Sequence, residues 1–308
     1  MIWILPAFLS ASLLGLYDAV KKHSLRGNAV LPILGLNTLF CALLFAPPII
    51  LSAIGCIDAD SALYVPQWQW SEQRFIVVKA LIVLSSWILG YFAMKHLPLT
   101  IVGPINATRP VMTIVGAMLI FGERLNAWQW AGVSLAIVSF FLLSRSGRRE
   151  GVNFGHNVWI YLLVGAAIIG AGSGLYDKFL MSPTSHGGAG LNKMAVQGWC
   201  NVYQCIMMCS VVALLWLPTR HRADATPFTW RWSILLISLF LTLADLAYFY
   251  ALTFPDAMIS VVSMVRRGSV VVSFACGAIF FGEKNLRAKA IDLMLVLLGM
   301  ICLWLGTR

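Results

Sequence analysis

The chain repeats itself. GLYD at residues 15–18 returns at 174–177, GYFAMKHLP at 90–98 is answered by AYFYALTFP at 247–255, and GERLNAW at 122–128 by GEKNLRA at 282–288. The offsets are 159, 157 and 160 residues, so the landmarks recur in the same order with only small insertions. A period near 160 is far too long for a solenoid unit. It leaves two copies of a half-protein, residues 1–150 and 151–308.

Composition sets the solvent in which those copies fold. Residues are 60% hydrophobic and 11% charged, against about 25% charged in a soluble domain. Ten apolar runs stand out, near 2–20, 28–54, 71–94, 98–121, 126–144, 156–182, 191–217, 230–252, 255–281 and 285–306. Each is long enough to cross a hydrocarbon core about 30 Å thick. A bilayer admits helices or closed barrels, and runs without period-2 alternation are helices. The expectation is an all-α, multi-pass integral membrane protein with ten transmembrane helices. Five fall in each copy, and an odd number forces the copies into opposite orientations, as inverted repeats.

The first run lacks a basic leader and a small-residue cleavage site, and the repeat needs it as a helix, so it is read as one. The seven cysteines show neither a disulfide framework nor zinc spacing, and no metal or other cofactor is expected. The net charge of +10 reads as basic loops on one side of a membrane, with no nucleic-acid partner. Lys and Arg in loops after odd-numbered runs total 13, with 6 on the other side and three mid-run. The positive-inside rule then places both termini outside.

The stretch from Tyr91 to Leu143 is an aromatic-rich run, a Pro-bearing run ending in GE, a short polar turn and a Gly-containing run. It resembles the EamA-type half of the drug/metabolite transporter superfamily. The second copy is looser, keeping FGE at 281–283 but carrying Val270 where the first has Pro110. The resemblance implies a ten-helix carrier with a central cavity, a small-molecule substrate, and a setting in the bacterial inner membrane. It also implies both termini inside, against the charge count. It selects no substrate.

The three mid-run arginines are the candidate chemistry: Arg109 in the fourth run, Arg266 and Arg267 in the ninth. At a bilayer centre three arginines cost on the order of 8 to 10 kcal/mol, so they must face partners or a wet cavity. Asp245 is read as the one deep carboxylate. One carboxylate cannot neutralise three guanidiniums, and an anionic substrate is the natural missing partner. Adjacent residues point about 100° apart on a helix, so one arginine could hold Asp245 while the other holds substrate. Structural arginines, bonded to freed carbonyls or to Asp245, are the competing account. Plant plastid phosphate translocators are similar in placing basic residues on helices four and nine, which implies a phosphorylated anion.

Pro110 removes a donor and is expected to kink the fourth run beside Arg109, freeing the Asn106 carbonyl. Asn106 and Tyr248 are candidate hydrogen-bonding residues, and Trp87 and Tyr91 candidate wall residues. The GLYD copies put Tyr17 with Asp18, and Tyr176 with Asp177, at the ends of runs one and six. These are read as interfacial acid-base ends or, alternatively, as gates that close opposite mouths. Ala166, Gly170 and Gly174 form a stripe read as helix packing.

No HExxH, nucleophile elbow or phosphate-binding glycine loop occurs, so no enzyme is expected. Without an ATPase motif, active transport must be secondary, driven by a proton or counter-substrate. The rival reading is an amino-acid or drug exporter in which Asp245 binds the amine or the coupling proton.

Overall fold

The computed structural model describes residues 4–61, 63–66, 69–109, 111–113, 115–116, 125–148, 155–181, 184, 187–220, 226–252, 262, 265–283 and 286–306. Among them the chain is helical, with no strand. The helices in chain order are α1 (Ile4–Leu25), α2 (Val30–Ala53), α3 (Trp70–His96), α4 (Leu99–Ala107), α5 (Ala127–Arg148), α6 (Val158–Met181), α7 (Lys193–Val211), α8 (Ser233–Leu252), α9 (Ser269–Phe280) and α10 (Leu286–Leu305). A π-helical turn, Val212–Trp216, continues α7. Pro110, Pro255 and the first GE pair, Gly122 and Glu123, lie outside the described residues.

Helices α1, α2, α3, α6, α7 and α10 are long and apolar enough to cross a membrane, and α5 and α8 carry the shorter apolar stretches Ala127–Leu143 and Ser233–Tyr248. Their ends follow local chemistry. Asn192 starts α7 by accepting from the amides of Met194 at 2.8 Å and Ala195 at 3.3 Å, an N-cap that satisfies donors no helix can satisfy itself. Pro98 disfavours helical geometry in Leu97, so α3 stops at His96 and α4 begins at Leu99.

The bundle is built from pairings across the sequence: α1 on α8, α3 on α6, α2 on α7 and α8, α3 on α7, α4 on α9, and α5 on α10. Small residues permit the closest of these. A Cβ on Gly132 of α5 would lie 2.7 Å from the carbonyl oxygen of Gly299 on α10, so the two backbones touch. About two turns further, Ser139 Oγ donates to the Asp292 carbonyl at 2.7 Å. Gly103 and Gly277 play the same part where α4 meets α9, facing Val270 and Thr100 respectively.

The second GE pair is a junction between the copies. Gly282 has φ +59°, a left-handed turn that glycine adopts without strain and that ends α9. Glu283 is thereby turned onto the first turn of α4: its carboxylate accepts from the amide of Leu99 at 2.6 Å, the amide of Thr100 at 2.8 Å, and the Thr100 hydroxyl. A carboxylate there is favoured by the helix dipole as well as by the hydrogen bonds. Lys289, fully buried on α10, donates to Thr100 Oγ1 at 2.7 Å and completes the junction.

Two sequence readings need correction here. Helix α1 runs on to Leu25, so Tyr17 and Asp18 lie well inside it rather than at its end. Lys79 and Lys289, counted as loop charges, are buried helix residues. The physical reason is common to both: an intramembrane lysine is tolerated wherever the bundle offers it an acceptor, and hydropathy windows do not see acceptors on other helices.

Replacing Glu283 by Ala strands three donors at once, and should lower unfolding stability by about 2 to 4 kcal/mol, the range of a lost cap plus a charge-assisted bond. Glu283→Gln, which keeps an acceptor oxygen, should recover part of that. Thermal unfolding in detergent reads both; an unchanged melting temperature for Glu283→Ala means the junction holds nothing.

Candidate functional site

Among the described residues, two of the three arginines make no side-chain hydrogen bond or ion pair. Arg109 follows the last regular turn of α4, where Thr108 Oγ1 donates to the Ile105 carbonyl at 2.7 Å, and its own carbonyl accepts from Thr113 Oγ1 at 3.0 Å. Its guanidinium lies flat against α6 at Gly170: a Cβ there would sit 3.1 Å from both Cζ and Nη1. Arg109 Nε is buried without a hydrogen-bond partner, and so is the side-chain oxygen of Asn106 one turn earlier. The stripe read as packing is therefore, at Gly170, the floor on which an arginine rests.

Arg266 and Arg267, just before α9, divide their work. Arg266 forms an ion pair with Asp245 of α8 through Nη2, and its guanidinium carbon lies 4.6 Å from the centre of the Tyr248 ring, a cation–π stack. Asp245 has its other oxygen occupied as well, by Gln197 Nε2 of α7 at 3.1 Å. Arg267 is exposed, with Arg109, Arg266 and Tyr248 as its electrostatic neighbours. Among the described residues neither Arg109 nor Arg267 makes a hydrogen bond or ion pair through its side chain.

The aromatic and GLYD candidates separate into two groups. Tyr17 and Tyr91 are buried with their hydroxyls 3.5 Å apart, and Lys21 caps both rings, its Nζ 4.1 Å and 5.2 Å from their centres. Lys21 also bonds Asp18 at 2.8 Å. Asp18 is an electrostatic neighbour of Arg109, so this cluster adjoins that arginine. Trp87 packs against the main apolar core beside Tyr91. In the second copy Asp177 pairs instead with Lys79 of α3, and Tyr176 donates to the Phe75 carbonyl at 3.2 Å, both bonds joining α6 to α3.

Two residues of this neighbourhood, Gln197 and Asp292, were not singled out from sequence, and two others, Gly170 and Glu283, were read only as a packing position and a repeat landmark. Asp292 corrects the reading of Asp245 as the sole deep carboxylate. It is 2% exposed on α10, and one of its carboxylate oxygens has no partner. Its counterpart in the first copy is Gly132, so the repeat gave it no signal. Gln197 and Gly170 are ordinary residues inside apolar runs, informative only once their neighbours are known. The potential metal ligands form no cluster of three or more among the described residues.

Residues 1–145 match the model of the EamA-like transporter family. The match covers slightly less than half of the chain, and it agrees with the six helices long and apolar enough to cross a membrane. A solved crystal structure, titled only as that of a protein, superposes with a TM-score of 0.61 over 99% of this chain and 98% of its own, at 15% identity. At that identity the likeness is one of fold. A comparison with curated proteins returns no match.

Gly170→Ala asks the Arg109 guanidinium to move by a few tenths of an ångström, and should cost under about 1 kcal/mol. Gly170→Leu cannot be accommodated that way and should cost the ~1 to 3 kcal/mol of an overpacked contact. Thermal unfolding of the two variants tests whether Arg109 is held on this floor; equal, negligible effects would mean it is not.

Proposed function

We propose that this EamA-type protein is a secondary carrier of a small organic anion, phosphorylated or carboxylated, which alternates access around Arg109 and Arg267. The observation that carries the reading is that, among the described residues, two guanidiniums at the ends of α4 and α9 lack a hydrogen-bond or ion-pair partner while the third is paired with Asp245. An unpaired charge in hydrocarbon costs several kcal/mol, and a chain keeps such a charge where a ligand meets it. Arg267 is exposed although its electrostatic neighbours are interior groups, which supports a water-reachable site at that depth. Asn106, with its orphaned oxygen, and Tyr248, stacked on Arg266, stand by to orient the ligand's hydroxyl groups.

Alternation requires two halves that move, and the pairings support an inverted repeat of residues 1–150 and 151–308. Exchanging copies turns α1 on α8 into α6 on α3, and α2 on α8 into α7 on α3; α2 with α7, α4 with α9 and α5 with α10 map onto themselves. The symmetry extends to single residues: with the offset of 160, Gly132 corresponds to Asp292 and Ser139 to Gly299, and both cross pairs touch. Ten crossings in two opposed halves account for all of this. Asp177 with Lys79 then closes one mouth and must part for the site to open there, while Asp18 with Lys21, its counterpart within one helix, is the pair left for the other state.

The exporter alternative, with an amine on Asp245, is disfavoured by chemistry. Both Asp245 oxygens are already engaged, and an incoming cation would meet three arginines first.

Arg109→Gln and Arg267→Gln should each weaken anion binding by about 1.5 to 3 kcal/mol, roughly 10- to 150-fold, with folding retained. Lys at either position should recover part of the loss, since it keeps charge without the fork. Arg266→Gln should instead destabilise the fold by about 3 kcal/mol, because it leaves Asp245 without its cation. A thermal-shift screen of phosphorylated metabolites, carboxylates, amino acids and organic cations, followed by proteoliposome uptake, makes the measurement. Normal binding and uptake by both Gln variants overturns the reading.

A further inference from the structure

We propose that the Arg266–Asp245 pair couples this site to protons: an anion arriving on Arg267 and Arg109 draws Arg266 away from Asp245, and Asp245 takes up one proton through the seam between α2 and α8. The proposal rests on the anion reading given above. It adds the coupling ion, the residue that carries it and the face from which it comes.

The geometry makes Arg266 the shared element. Arg266 is an electrostatic neighbour of Arg267, so a dianion held by Arg267 attracts the Arg266 guanidinium and competes with Asp245 for it. The same negative charge repels the Asp245 carboxylate. Both effects act in one direction, toward the neutral acid, because an unpaired carboxylate in a low-dielectric interior is the costly form. The step is a proton binding to the carboxylate: an O–H bond forms on Asp245, the proton comes from bulk water, and Gln197 remains to hydrogen-bond the acid.

The groups around Asp245 show where that proton can pass. From before α9 it faces Arg266, with Arg267 and Arg109 behind; α7 offers Gln197, and its own helix offers Tyr248 and Thr242. Helix α1 meets α8 there through Ser10, whose hydroxyl donates to the Ala244 carbonyl at 2.6 Å, with no charged group. The remaining side belongs to α2, where Cys41 senses the charge of Asp245 and adjoins Thr242. Cys41 Sγ lies 3.9 Å from Asn37 Oδ1 one turn away. Asn37 is 0% exposed with its amide nitrogen unpartnered, and Thr242 is 6% exposed with its hydroxyl unpartnered. Two orphaned polar groups on packed helices, Thr242 on the same helix as Asp245, mark a place where water belongs, since buried polar atoms are almost always satisfied. Arg266 engages Asp245 Oδ1 and Gln197 engages Oδ2, so the α2 side, with Asn37 and Thr242, is the side proposed for the proton.

Sulfate is the probe, because it stays a dianion from pH 5 to 8 and any proton taken up belongs to the protein. Titration calorimetry of the full chain in detergent, in two buffers of different ionisation enthalpy, counts protons per sulfate bound. The expected result is net uptake, approaching one proton, for the native chain. Asp245→Asn should bind sulfate without uptake. Should that variant fold poorly, Asp245→Asn with Arg266→Gln removes both charges, leaves Arg109 and Arg267 in place, and should likewise bind with no uptake. Sulfate binding with the same heat in both buffers, or uptake that survives loss of Asp245, overturns the coupling and leaves the anion reading intact. Failure of sulfate and of inorganic phosphate to bind the native chain overturns both.

Discussion

In a bilayer no water is at hand to satisfy a charge, so every ionised side chain must be met by the protein or by what the protein binds. This constraint explains most long-range polar contacts here. Lys22 at the end of α1 donates to the carbonyls of Met94 at 2.6 Å and Leu97 at 2.5 Å, which the end of α3 leaves unpaired. Lys79 is met by Asp177, Arg266 by Asp245, and the amides opening α4 by Glu283. Against that pattern Arg109 and Arg267 make no side-chain hydrogen bond or ion pair among the described residues, and each is an electrostatic neighbour of the other.

The repeat fixes where helices go and leaves open what each copy does with its matched residues. Tyr17 is sealed against Tyr91 beneath Lys21, while Tyr176 reaches the Phe75 carbonyl on α3. Asp18 pairs three residues along its own helix and Asp177 pairs across the bundle. In the proposed carrier such asymmetry is what one state of an alternating pair of mouths requires, since both are built from the same parts. Pairing inside one helix survives any motion of the halves; pairing between α3 and α6 does not.

Much of this was legible in the sequence, because it rests on local or periodic signals. Run lengths gave the helices, and the rarity of intramembrane arginine singled out Arg109, Arg266 and Arg267 as candidates, while the division into two copies rests on the spaced landmarks themselves. The EamA resemblance came from the same stretch. Less visible was anything that depends on a partner from another helix. Gly170 is one glycine among several until Arg109 is seen lying on it, and Gln197 acquires meaning only beside Asp245. Lys79 and Lys289 looked like loop charges because hydropathy sums residues along one chain segment, while their acceptors lie 98 and 189 residues away.

The GE junction also decides how the arginines can move. Helices α4 and α9 run antiparallel and are tied at one end, where Glu283 grips Leu99 and Thr100. At 1.5 Å per residue, Arg109 lies about 15 Å from that tie and Arg267 about 24 Å. Gly103 and Gly277 hold the helices in contact nearer the tie, so any splaying between them grows with distance from Glu283 and is largest at Arg267. That ordering matches the partly exposed Arg109 and the exposed Arg267. The two unpaired guanidiniums thus sit on the arms of one hinge, and an anion bridging them resists its opening. Ligand binding and helix motion are in this way expressed through the same two residues, which is the physical requirement for a site that changes sides only as its occupant does.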